Sequence, residues 1–293
     1  MTPVTYPPLV TKDVGLGSAY ERVFIYRLIA RWIEKYPVRT AMEGVLDGMA
    51  GLPGIHLIPA AFAGAKVTVI CPDETIAGAV HGVYDSLGLV PRLRIIMGNG
   101  WPSGETAELV MIFNALAFSP DWKSFLRETA SHATRRMIVS TTNSACYGAL
   151  VSRTLRALGL RRRETELFDH PSAHRSLLEK EIAKIGAIQE SRCVDAPWWP
   201  DLFVKPGNSL VSGFLQDLPG KAARTDAAPS SRSLQHSYGP GNFPYFERTP
   251  EEKKIIRSIL RQPNADEGVF RPLAPLFAHH RMCLVDVGRD RAD

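Results

Sequence analysis

The sequence predicts an α/β protein: a doubly wound, mainly parallel sheet with helices on both faces. Two observations carry this expectation. Strand-like segments such as KVTVIC (66–71) and RRMIVSTTN (135–143) alternate with helical stretches long enough to return the chain to the start of a parallel neighbour. One segment, AELVMIFNAL (107–116), is apolar at consecutive positions, as a strand buried on both faces must be. With 45% apolar and 22% charged residues over 293 positions, the chain can fill such a core as one large domain or two modest ones.

The elements follow in order. The first fifteen residues carry prolines and little pattern, and are expected to wrap the surface. SAYERVFIYRLIARWIEKY (18–36) spaces Val23, Phe24, Tyr26, Leu28, Ile29, Trp32 and Ile33 as an amphipathic helix does. Ser18 with Glu21 three residues on reads as a capping box, and Pro37 ends the helix. TAMEGVL (40–46) is the first strand, GIHLIPAAFAG (54–64) a helix with Pro59 near its start, and KVTVIC the second strand. DETIAGAVHGVYDSLG (73–88) is a helix closed by Gly88, RLRIIMG (92–98) the third strand and AELVMIFNAL the fourth. PDWKSFLRETASHA (120–133) is a helix with Pro120 in its first turn, followed by the fifth strand RRMIVSTTN. SAHRSLLEKEIAKIG (172–186) is a helix and AIQESRCVDAP (187–197) a strand. Residues 197–250, rich in Pro, Gly and Ser, break the alternation. TPEEKKIIRSILRQ (249–262) is a helix capped by Thr249, and HHRMCLVDVG (279–288) is a strand that must join a sheet already built.

Composition narrows the function classes. No apolar run approaches the ~18 residues of a spanning helix, and MTPVTYPPLV lacks the basic start and apolar stretch of a secretory signal. The expectation is a soluble cytoplasmic protein without a membrane partner. Cys71, Cys146, Cys193 and Cys283 form no C-x-x-C pair, so no zinc or redox motif is signalled and no metal is expected. The net charge of +5 permits an anionic partner, but the one dense basic run, Arg161 to Arg163, has acids close by and no interleaved aromatics. It reads as a solvated helix end, and nucleic acid is not an expected partner.

The bend TAMEGVLDGMAGLPG (40–54) places Gly44, Gly48, Gly51 and Gly54 beside Glu43 and Asp47. Bare backbone lets a ligand approach the main chain closely, and it aims N–H groups outward. A phosphate loop needs G-x-x-x-x-G-K-[ST] and a dinucleotide loop G-x-G-x-x-G; neither spacing is present. A nucleoside carrying a cationic sulfonium fits better, because it wants bare backbone and carboxylates together.

At these residues the chain resembles the class I S-adenosylmethionine-dependent methyltransferases, over roughly residues 18–196 and the last strand. MEGVLDGMAGLPG resembles the family's acid followed by a glycine bend, VTVICPDETIAGAV its second strand with the ribose-binding acid beyond, and IIMGNGWP its adenine-lining loop. AELVMIFNAL resembles the fourth strand, whose end faces the methyl group. The resemblance implies a Rossmann-like, doubly wound seven-stranded sheet with an antiparallel last strand and an insertion before it. It divides the chain into an arm (1–17), a core (18–196), an insertion covering the substrate (197–277) and a final strand with its tail (278–293). It implies S-adenosylmethionine as cofactor, with Glu43, Gly48, Gly51, Asp73, Asn99, Trp101 and Asn114 around it. Three departures stand out. The glycine loop is longer than usual, which leaves Glu43 or Asp47 as the motif acid, with Glu43 preferred. Cys71 holds the direct register of the ribose acid, with Asp73 two residues on as the better acceptor. Asn99 stands where an aspartate is usual.

The implied activity is methyl transfer to a small-molecule acceptor, with a homodimer left open. Asn114 is followed by Ala115, so the Asn-Pro-Pro motif of adenine or amide nitrogen methylation is absent. His170, His174, His279 and His280 are candidate bases, Tyr20 and Tyr26 candidate lid residues, and the tryptophans of APWWPD (196–201) a candidate apolar wall. None stands out, so the catalytic residue is unassigned. The rival readings are a catalytically silent methyltransferase-like scaffold subunit and, more weakly, a nucleotide-dependent oxidoreductase.

Overall fold

Side-chain alternation along β4 (Ala107–Phe113) sets the layers of the molecule. Leu109, Met111 and Phe113 enter one apolar cluster while Val110 and Ile112 enter a second on the opposite face. The first cluster is closed by helices α1 (Leu16–Lys35), α2 (Ile58–Phe62) and α3 (Glu74–Ser86). The second is closed by α4 (Trp122–His132) and, beyond α5 (Tyr147–Ala157), by α6 (Arg175–Ile182). Our computed structural model describes residues 16–44, 52–159, 166–196 and 268–288, with isolated positions between 250 and 261.

The sheet has seven strands in the order β3-β2-β1-β4-β5-β7-β6. These are β1 (Thr40–Glu43), β2 (Lys66–Cys71), β3 (Leu93–Met97), β4, β5 (Ala133–Thr142), β6 (Ala187–Val194) and β7 (His280–Asp286). The first five pair in parallel, and β7 runs antiparallel between β5 and β6. The chain therefore reverses its strand order between β1 and β4, the switch point at whose carboxyl end open α/β sheets bind ligands. The antiparallel register sets His280, the first residue of β7, beside Thr142 and Val194, the last residues of β5 and β6. One edge of the sheet thus gathers the ends of six strands and the beginning of the seventh.

Three local expectations are corrected. Helix α1 already runs at Leu16, so Ser18 is an internal residue and not an N-cap. Pro120 lies ahead of α4, whose N-cap is Asp121; that carboxylate accepts from Ser124 N–H at 3.0 Å. Tyr20 and Tyr26 are 0% and 3% exposed, which makes them core residues and not lid residues. Residues 1–15, the basic run at 161–163, the tryptophans of APWWPD, the segment 197–249 and its Thr249 cap lie outside the described residues. Among the described residues, no helix is long and apolar enough to cross a membrane.

The return from the glycine bend depends on Gly54. Its φ is +78°, and any Cβ there would collide with the Val69 side chain on β2. Its carbonyl accepts from Tyr84 Oη at 2.8 Å, and the next carbonyl, Ile55, accepts from Tyr26 Oη at 2.6 Å. Gly54→Ala combines left-handed strain with overpacking, so a loss of about 2–4 kcal/mol is expected in urea denaturation. A loss under about 0.5 kcal/mol would contradict the tight approach of this backbone to β2.

Candidate functional site

Glu43 ends β1 and is 0% exposed. Its Oε1 lies 2.6 Å from Nδ1 of His56, also 0% exposed, whose ring stacks on Phe113 with centroids 4.1 Å apart. A residue just before the glycine loop is thereby fastened to one just after it. The carboxylate expected at the cofactor is buried and closes the loop at its base. Burial pushes the Glu43 carboxyl up to about 8, against the pull of the Arg22 guanidinium and of nearby backbone N–H groups. The loop itself, with Asp47, Gly48 and Gly51, is outside the described residues.

This burial has a sign that can be measured. A free glutamate releases its proton near 4.5 and the folded one near 8, so between those values the folded state holds a proton the unfolded chain has lost. The stabilising contribution is complete at low pH and is lost as pH rises from about 4.5 to 8. Glu43→Gln keeps the shape without titrating. Its melting temperature is expected to gain on that of the wild type between pH 5 and pH 8; parallel curves would contradict the burial.

Asp73 and Asn99 come from adjacent loops, since Cys71 pairs with Met97 at the ends of β2 and β3. Asp73 is the N-cap of α3, its Oδ1 accepting from Ile76 N–H at 2.9 Å. The neighbouring Cys71 is a core residue, its thiol pushed up to about 12 by burial and by the charge of Asp73. All four cysteines are buried. Asn99 is exposed. Trp101 stacks on His132 with centroids 5.0 Å apart, and lies so close to Gly44 that any Cβ there would collide with the indole. Bare backbone at Gly44 therefore receives the chain's own side chain. The indole Nε1 is buried without a hydrogen bond among the described residues.

Asn114 follows β4 with φ +53°, its backbone N–H held by the Ser140 carbonyl at 2.9 Å. Its Nδ2 lies 3.0 Å from His280 Nε2, and its Oδ1 is buried without a hydrogen bond among the described residues. On the far side of His280, Nδ1 lies 3.6 Å from Asp195 Oδ2 and 4.0 Å from Glu21 Oε1. Asp195 also accepts from His279 Nδ1 at 3.0 Å. Burial opposes a charge on His280, yet the Glu21 and Asp195 carboxylates outweigh it and raise the imidazole's pKa. Of the four candidate bases, His280 is the one that meets Asn114, and His279 joins it through Asp195. His170 caps a 3-10 turn through Ser172, and His174 lies 3.3 Å from Ser144 Oγ.

Sequence reasoning missed His56, Asp195 and the place of Glu21. A histidine within the apolar run Ile55–Ile58 was the available signal for the first, because a buried imidazole needs a polar partner. Nothing in the spacing of Glu21, Asp195 and His280 announces that they meet.

No protein-family model matches the chain, and no curated protein matches it. Among solved structures, it is similar to magnesium protoporphyrin IX methyltransferase from Synechocystis PCC 6803, at 19% identity over 63% of this chain and 80% of that chain, TM-score 0.49. It is also similar to geranyl diphosphate methyltransferase, at 12% identity over 89% of this chain and 84% of that chain, TM-score 0.41. The StiE O-methyltransferase is similar at 12% identity over 90% and 73%, TM-score 0.44. Five parallel strands, a sixth in the same direction and a seventh inserted antiparallel between the fifth and the sixth give this chain the Rossmann-like sheet arrangement of the class I S-adenosylmethionine-dependent methyltransferase fold.

Proposed function

We propose that this protein transfers a methyl group from S-adenosylmethionine to a small-molecule acceptor. The observation behind the reading is the gathering of Asp73, Asn99 and Asn114 on loops at the carboxyl ends of β2, β3 and β4, around the switch point of the sheet. In this reading the ribose hydroxyls donate to Asp73, and the adenine lies by Asn99 with Trp101 behind it as a wall. The amino-acid end runs along Gly48 and Gly51. Glu43 acts from beneath, through His56, by holding the ends of that loop together.

The reaction asks little of the protein beyond alignment. A lone pair of the acceptor attacks the methyl carbon in line with the sulfonium, the carbon–sulfur bond breaks onto sulfur, and S-adenosylhomocysteine leaves. The amide end of Asn114 that has no partner is available to orient the acceptor. Calorimetry with S-adenosylmethionine and S-adenosylhomocysteine tests the reading. Binding of both is expected. Binding of neither would overturn it and leave a silent scaffold.

A further inference from the structure

We propose that Glu21, Asp195 and His280 form a site for a divalent first-row cation beside Asn114; its assignment to the acceptor side of the cleft rests on the methyl-transfer reading. One ligand atom from each residue lies within 4.8 Å of the other two, although they come from α1, the residue after β6 and the first residue of β7. The separations from His280 Nδ1, 3.6 Å to Asp195 and 4.0 Å to Glu21, are too long for hydrogen bonds. They do fit two ligands of one cation, which at ~2.0–2.2 Å from each can hold them up to about 4.4 Å apart.

Independent features point the same way. His280 is 7% exposed, and its Nδ1 makes no hydrogen bond among the described residues, although it faces two carboxylates. Both flanks of the trio are braced, as the outer groups of metal sites are: His280 Nε2 by the Asn114 amide, and Asp195 by His279 Nδ1. The structure sets Asn114 Nδ2 against Nε2; with the amide turned over so that its oxygen accepts from Nε2–H, Nδ1 keeps a lone pair aimed between the carboxylates for a cation. Among the described residues, the two non-glycine positions with positive φ are Asn114 at +53° and Asp195 at +59°, and His280 lies between their side chains. Backbone in this sparsely populated region is concentrated where side chains must be aimed. Two carboxylate oxygens and one imidazole suit Mn²⁺, Fe²⁺ or Zn²⁺. Three protein ligands leave coordination positions open for water or an acceptor oxygen. The Glu21 side chain, 25% exposed, gives the site an outer edge.

The test is Mn²⁺ binding to the full chain, followed by loss of the free-ion electron paramagnetic resonance signal. S-adenosylhomocysteine binding is measured on the same samples. One Mn²⁺ per chain is expected, weakened at least about tenfold in both Glu21→Gln and Asp195→Asn. Glu128→Gln, on the exposed side of α4, is expected to bind as the wild type does. Absence of Mn²⁺ binding in the wild type, as when a proton alone fills the space, would overturn the proposal. So would unchanged binding in Glu21→Gln, a variant at a part-exposed position that does not depend on the tolerance of the buried Asp195. Retained nucleoside binding without Mn²⁺ removes only the cation site. Retained Mn²⁺ binding without nucleoside removes only the methyl-transfer reading.

Discussion

His56→Ala is expected to lower the unfolding free energy by about 3–5 kcal/mol, from two losses at one place. The ring is fully buried against Phe113, so its removal opens a cavity beneath the end of β4. The Glu43 carboxyl also loses its 2.6 Å partner while remaining 0% exposed. One proton serves this pair, whether it sits on Nδ1 or on the carboxyl, and removing either member takes that hydrogen bond from the other. Combining His56→Ala with Glu43→Gln is expected to cost less than the sum of the two, because residues in contact do not act independently. Urea denaturation at pH 7 measures both variants. A loss below about 1 kcal/mol in His56→Ala would show that the base of the glycine loop is not held as described.

Asp73→Asn is expected to weaken S-adenosylhomocysteine binding by about 1–3 kcal/mol while leaving stability within about 0.5 kcal/mol of the wild type. The structure assigns Asp73 one role already, as acceptor for Ile76 N–H at the start of α3. Asparagine caps a helix about as well as aspartate, so the cap survives the change. A neutral amide is a poorer acceptor for two ribose hydroxyls than a carboxylate, so the ligand does not escape the cost. Asp73→Ala removes both roles and adds the cap's contribution of about 1 kcal/mol to the stability loss. Calorimetry beside thermal melting separates them. An unchanged dissociation constant in Asp73→Asn would confine this carboxylate to capping.

The sheet was legible because period-two alternation and helix periodicity are local signals. KVTVIC, AELVMIF and the late HHRMCLVDV each announced a strand, and β7 joins the sheet between β5 and β6. Helix ends were less legible. Ser18 and Glu21 have the spacing of a capping box, yet α1 already runs at Leu16, ahead of both. Glycine was ambiguous for a physical reason: a missing Cβ suits a ligand and a neighbouring side chain equally well. Trp101 is the neighbour at Gly44 and Val69 at Gly54. Glu43 was read as a ligand because the glycine bend begins straight after it, and only the fold brings it the His56 that holds it inside. The cluster of Glu21, Asp195 and His280 depends on β7 entering between β5 and β6, a contact between distant stretches that no local pattern encodes.

A crystal structure of the full chain with S-adenosylhomocysteine tests the central claim most directly. The account predicts a nucleoside across the carboxyl ends of β1 to β4, its ribose hydroxyls on Asp73, its adenine beside Asn99 and its sulfur turned toward Asn114. Side chains of residues 45–51 packed into that space, with the nucleoside bound elsewhere or not at all, would contradict it.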